Sequence, residues 1–120
     1  MAHVDQRRES TLEAVIISEA AGEPYEGKVG VAEVLRNREW SVRGFSGIQR
    51  KDLDQFLLAQ PDWTRQQARR ALQKAREGSN LTRNATHFEN VEQFGLPRWA
   101  KEMEVTVKIG SHTFFRKRRV

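Results

Sequence analysis

Apolar positions recur at helical spacing in several stretches of the chain and alternate in one, and that pattern divides the sequence into elements. From Ser10 onward, Leu12, Val15, Ile16 and position 19 fall at i, i+3, i+4 and i+7, the stripe that a helix buries. Ser10 with Glu13 reads as a capping box opening this helix, and Gly22 closes it. Pro24 suits the first turn of a second helix over 26–38, with Val31, Val34, Leu35 and the stem of Arg38 inward and Glu33 on the outer side. After a Gly- and Ser-bearing loop over 41–47, a short helix is predicted over 51–58, before Pro61. Next, Thr64 with Gln67 forms a second capping-box pattern. The helix it opens has Ala68, Ala71, Leu72 and Ala75 as its buried stripe and Gly78 at its C′ position. Residues 104–109 alternate, Gly110-Ser111 fits a two-residue turn, and 112–116 return, which predicts a β-hairpin. Residues 80–99 have no clean period, yet carry His87, Phe88, Phe94 and Trp99 among asparagines.

Composition restricts what such a chain can be. With 120 residues, 38% of them hydrophobic, it forms one domain, its core over about 10–116 with a basic tail over 116–120. Folding a chain of this length buries roughly 65–70% of the unfolded surface. The absence of cysteine excludes disulfide scaffolds, cysteine nucleophiles and thiolate zinc sites. No apolar run is long enough to span a membrane, and the first ten residues lack a signal-peptide core. The net charge of +5 is concentrated in 65–76 and 116–119 and would attract polyanions such as an acidic cell wall or nucleic acid. On 65–76 the basic residues also read as the solvated side of an amphipathic helix. No helix-turn-helix, RNA-binding aromatic pair or zinc-finger spacing accompanies them, so specific nucleic-acid binding is not expected.

The residue that breaks the hydrophobic pattern is Glu19, a carboxylate on the core-facing stripe of the first helix. Loss of hydration there raises a carboxyl pKa and lets the group hold a proton near neutrality for use as a general acid. The same position also suits a paired or capping glutamate at a last turn. Glu23 and Glu26 follow around the helix end, and positioning Glu19, binding substrate or holding the loop are the roles open to Glu23. His3, His87 and His112 are far apart and lack metal-ligand spacing, so neither metal nor cofactor is expected. Nothing matches a phosphate loop or a nucleophile elbow. The aromatic, amide-rich segment 80–99 offers flat apolar faces together with donors and acceptors, a surface suited to sugars, although its rings would equally cap a small core.

Residues 16–38, I-I-S-E-A-A-G-E-P-Y-E-G-K-V-G-V-A-E-V-L-R-N-R, resemble the opening motif of the SleB/CwlJ-type cell-wall hydrolases. The stretch 52–56, D-L-D-Q-F, is similar to that family's "V-i-x-x-x-Q-F-s". Residues 85–90 are similar to its "A-x-x-F-x-N", and 109–115 to its closing "I-G-x-H-x-F-y". The similarity covers about 12–116 in the same order. It implies a lysozyme-like, mainly helical α+β domain that cleaves the MurNAc–GlcNAc β-1,4 bond of peptidoglycan, with Glu19 as catalytic acid. Glu23, Gln55, His87, Phe88, Asn90 and His112 are then the substrate-binding or supporting residues. Ser18 departs from the family's glycine, Glu33 from a usually apolar position, and the middle region is short and highly charged.

A hydrolase with two carboxylates needs them roughly 5–5.5 Å apart for retention or 6.5–9.5 Å apart for inversion. A lytic transglycosylase needs one acid, and the sequence offers no second embedded carboxylate beside Glu19, which favours 1,6-anhydro-MurNAc products. The alternatives are a lysozyme-type muramidase, a wall-binding module without catalysis, and a basic nucleic-acid-binding protein. The expected enzyme is a monomer acting on glycan strands in the wall or periplasm without membrane insertion. Without a signal peptide it would be a phage lysis or virion-associated protein, or an excised domain of a secreted one.

Overall fold

The structure, a computed structural model, describes residues 2–119, and side chains from Arg8 onward; His3 and Val120 lie outside the described side chains. Five α-helices, α1 (Ala2–Ala20), α2 (Tyr25–Asn37), α3 (Leu53–Ala59), α4 (Asp62–Arg76) and α5 (Val91–Phe94), surround one another and a small sheet. Its strands are β1 (His87–Glu89), β2 (Met103–Ile109) and β3 (His112–Lys117), antiparallel in the order β1-β3-β2. This is a mainly helical α+β domain.

The stripe on α1 is buried as predicted: Leu12, Val15 and Ile16 are fully inaccessible. The helix begins well before Ser10, however, so the Ser10–Glu13 pattern lies inside it and does not form its start. Thr64 likewise is no cap: α4 starts at Asp62 after Pro61, and Thr64 is buried on the same face as Ala68, Ala71, Leu72 and Ala75. At the other end of α4 the prediction and the structure agree. Gly78 has φ +101, its N–H reaches Ala75 O at 3.1 Å, and Ser79 N reaches Lys74 O at 3.1 Å, the paired bonds of a Schellman motif.

α2 is the centre of the molecule. It packs against α1, α4, β1 and β2, and every residue from Gly27 to Leu35 is buried. A helix enclosed this way has no outer side, which corrects the expectation for Glu33. Glu33 is buried and accepts hydrogen bonds from Ser79 Oγ (2.8 Å), Leu81 N (2.9 Å), Thr82 N (2.8 Å) and Thr82 Oγ1 (2.7 Å). Four donors replace the lost hydration of the carboxylate and fasten the loop that leads to β1. Gly30 admits the sheet: a Cβ there would stand 2.6 Å from Cζ of Phe114.

The hairpin forms as predicted, with an irregularity between Val105 and Val107. The third strand, β1, pairs His87 with Phe115, Phe88 with Phe114 and Glu89 with Thr113. Phe114 belongs to the core beneath the helices, and Phe115 lies under the edge-on ring of Trp99 at 5.1 Å.

Candidate active site

Glu19 ends the buried stripe of α1, where the helix surface emerges into a cavity of about 370 Å³. This is the size of site that holds a sugar-sized ligand. Its Oε1 accepts the Gly47 N–H at 3.0 Å, and that approach needs glycine: a Cβ on residue 47 would meet Ser18 Oγ at 2.6 Å and Ser18 Cβ at 2.8 Å. Burial is the main cause that raises the Glu19 pKa; the Gly47 N–H opposes it, and the negative charge of Glu89 adds to it.

Glu23 faces the same cavity, but its carboxylate is engaged by the hairpin turn, accepting Ser111 N at 2.7 Å and Ser111 Oγ at 2.9 Å. Gly110, at φ +59, lets the turn come this close, since a Cβ there would stand 2.4 Å from Glu23 Oε1. Lys28, buried, donates to the backbone oxygen of Glu23 at 2.6 Å and so fixes the α1–α2 turn from beneath. Two stretches 88 residues apart are thereby locked together.

That lock delivers His112, the first residue of β3, to the cavity. It is buried beside Phe88, with ring centroids 4.8 Å apart, and its Nδ1 has no hydrogen-bond partner among the described residues. Burial lowers its pKa, against the pull of Glu23 and Glu89. On β1, His87 Nδ1 lies 2.9 Å from Thr86 Oγ1 and its ring 4.9 Å from that of Trp99. Its pKa is lowered by burial and by Arg38. Phe88 packs against Phe45 and Phe114, and Asn90 caps α5 by accepting Gln93 N at 3.1 Å. Glu19, Glu23, His87, Phe88, Asn90 and His112 thus share one cavity. Gln55 does not: it is exposed on α3, away from the lining.

Sequence reasoning missed two charged members. Arg38 borders the cavity, its Nε donating to Thr86 O at 2.7 Å and its guanidinium 5.0 Å from the centre of the Phe45 ring. Glu89 is a third carboxylate, which the sequence did not reveal; it lines the cavity, with Oε1 accepting its neighbour's Asn90 N–H at 3.0 Å. A three-residue strand is too short to show the alternation that would have placed it with His87. A second groove of about 490 Å³, between α1, α3 and α4, is more open and more apolar. Of its two acids, Glu13 is paired with Arg69 and Asp54 is exposed, whereas the first cavity holds the carboxyl whose pKa burial raises, so the first is the better site for proton chemistry.

The site thus sets a carboxyl whose pKa burial raises at the wall of a sugar-sized, aromatic-bordered cavity. The chain belongs to the cell wall hydrolase family, whose model matches residues 22–115. It is therefore an enzyme of the cell wall. Among solved structures it resembles the catalytic domain of the Bacillus cereus SleB protein, at 27% identity and a TM-score of 0.71, with 92% of this chain and 91% of that one covered. It is equally similar to the catalytic domain of the germination-specific lytic transglycosylase SleB from Bacillus anthracis. There the identity is 27% and the TM-score 0.71, with 92% and 95% of the two chains covered. No curated protein sequence matches the chain.

Proposed function

We propose that this enzyme cleaves the MurNAc–GlcNAc β-1,4 bond of peptidoglycan as a lytic transglycosylase, with Glu19 serving as acid and then as base. The observation that carries the reading is the placement of Glu19: embedded enough to hold a proton, anchored through Oε1 by Gly47, and open to the cavity. Oε2, which has no partner among the described residues, is the oxygen that protonates the glycosidic oxygen as its bond to C1 breaks. The resulting carboxylate takes the proton of the MurNAc C6 hydroxyl, whose oxygen bonds to C1. The product is a 1,6-anhydro end, no water is consumed, and Glu19 finishes protonated.

The likeness to a lytic transglycosylase domain over nearly the whole chain supports this outcome. Glu23 serves as a brace, since Ser111 engages both of its oxygens. Glu89 supports a second reading, in which it activates water on the opposite face of the sugar and the products are reducing MurNAc ends. Mass spectrometry of digested peptidoglycan separates the two. Anhydro muropeptides, lighter by one water and inert to borohydride, support the first reading, and reducing ends support the second.

A further inference from the structure

The cavity has a border that proton transfer at Glu19 does not use. α5 displays Phe94 with 70% of its surface exposed, and beyond Gly95 the chain displays Leu96 at 62%. Trp99 stands in the same lining, 36% exposed. A single exposed apolar residue is ordinary, but these lie within six positions of one another, and Phe94 and Trp99 both line the cavity.

The shelf is also braced. Asn90 Oδ1 accepts Gln93 N at 3.1 Å, Asn90 Nδ2 donates to Gln93 Oε1 at 3.2 Å, and the ion pair of Glu92 with Lys108 ties α5 to β2. His87 at 4.9 Å and Phe115 at 5.1 Å fix the ring of Trp99. Bracing that leaves rings in water holds their orientation without burying them, as a surface preset for a ligand does. One hydrogen bond joins the amides of Asn90 and Gln93, and the rings of Phe94 and Trp99 beside them offer a ligand exposed apolar faces. A pyranose ring matches them, because its axial C–H bonds form a flat apolar face.

We infer that Phe94 and Trp99 form a saccharide-stacking subsite that takes the C–H face of an N-acetylhexosamine ring and does not read the lactyl ether distinguishing MurNAc from GlcNAc. The inference rests on the proposed glycan-cleaving function and adds the element that grips the strand. Phe94 can be tested cleanly, since a side chain this exposed contributes little to folding.

The experiment measures binding of a GlcNAc oligomer and of peptide-free peptidoglycan strands to the folded Glu19→Gln protein, with and without Phe94→Ala. It also measures KM and kcat on wall glycan in the Glu19 background. Phe94→Ala should weaken both ligands alike and raise KM, by roughly three- to tenfold from the apolar area no longer covered, with kcat changed far less. Phe94→Tyr, which keeps the ring, should restore both. Unchanged affinity for the oligomer, a fall in kcat without a rise in KM, or weakening confined to the lactyl-bearing strand would each overturn the subsite. The GlcNAc oligomer binds without being cut, so this result stands even if the wild-type enzyme proves to break a different bond.

Discussion

Glu19 is held in a state that costs the fold something and, in the proposed mechanism, serves the reaction. Its folded pKa is raised above the ordinary 4.5, so between that value and the raised one the native state binds more protons than the unfolded chain. Stability attributable to this group is therefore present below that window and falls as pH rises through it. Glu19→Gln removes the titration. We expect lysis to drop by about 10²–10⁴-fold, the contribution of a general acid, while the melting temperature at neutral pH matches or exceeds wild type. Near-normal lysis by the folded variant would refute the assignment. Glu89, in the same cavity, adds to this shift as one like charge raising another's pKa, after burial. Glu89→Gln should accordingly shift the alkaline limb of the pH–activity profile to lower pH, because Glu19 then loses its proton sooner. Arg38, His87, Glu23 and His112 also face this space, and the pKa values of His87 and His112 are lowered by burial. A limb that does not move would show that Glu89 is not coupled to the acid.

At the scale of elements, the site depends on the clasp between the α1–α2 turn and the β2–β3 turn. Gly110→Ala forces a side chain into left-handed backbone and against Glu23, so we expect a loss of about 1–3 kcal/mol in denaturant unfolding, with activity falling as His112 is displaced. Glu23→Gln keeps one acceptor for Ser111 and should impair turnover less than Glu19→Gln. Asn90→Ala removes the cap of α5, worth about 1 kcal/mol, and should raise KM by loosening the Phe94 shelf.

These elements also mark how far the sequence could be read. The α1 stripe, the α4 stripe, Gly78 and the hairpin were legible because periodicity and glycine report backbone geometry directly. Ser10 and Thr64 were misread since a four-residue capping pattern occurs inside helices as well as at their starts. Glu33 was misplaced because a helix enclosed on all sides buries even its polar positions when a loop such as 79–82 supplies donors. Glu19 was visible as a charge on an apolar stripe. Glu89 was not, because its strand is short and its role depends on packing across the sheet.

As a whole, the molecule carries a net charge of +5, to which the Arg–Glu pairs joining α4 to α1, Arg69 with Glu13 and Arg76 with Glu9, contribute nothing. Surface pairs like these add little stability, about 0–1 kcal/mol each, but they leave the remaining basic residues to attract an anionic wall. Lysis should therefore decline as salt rises, since such attraction is screened beyond about 8–10 Å at ordinary ionic strength. Lysis indifferent to salt would show that the charge does not recruit the enzyme to its substrate.

The central claim, that one embedded acid cuts the strand without water, is tested most directly by digesting purified peptidoglycan and identifying the new glycan ends by mass spectrometry before and after borohydride. The account predicts anhydro-MurNAc ends, one water lighter than hydrolysed counterparts and unchanged by the reductant. Reducing MurNAc ends as the main product would contradict it and pass the second role to Glu89, while reducing GlcNAc ends would place the cut at the other linkage.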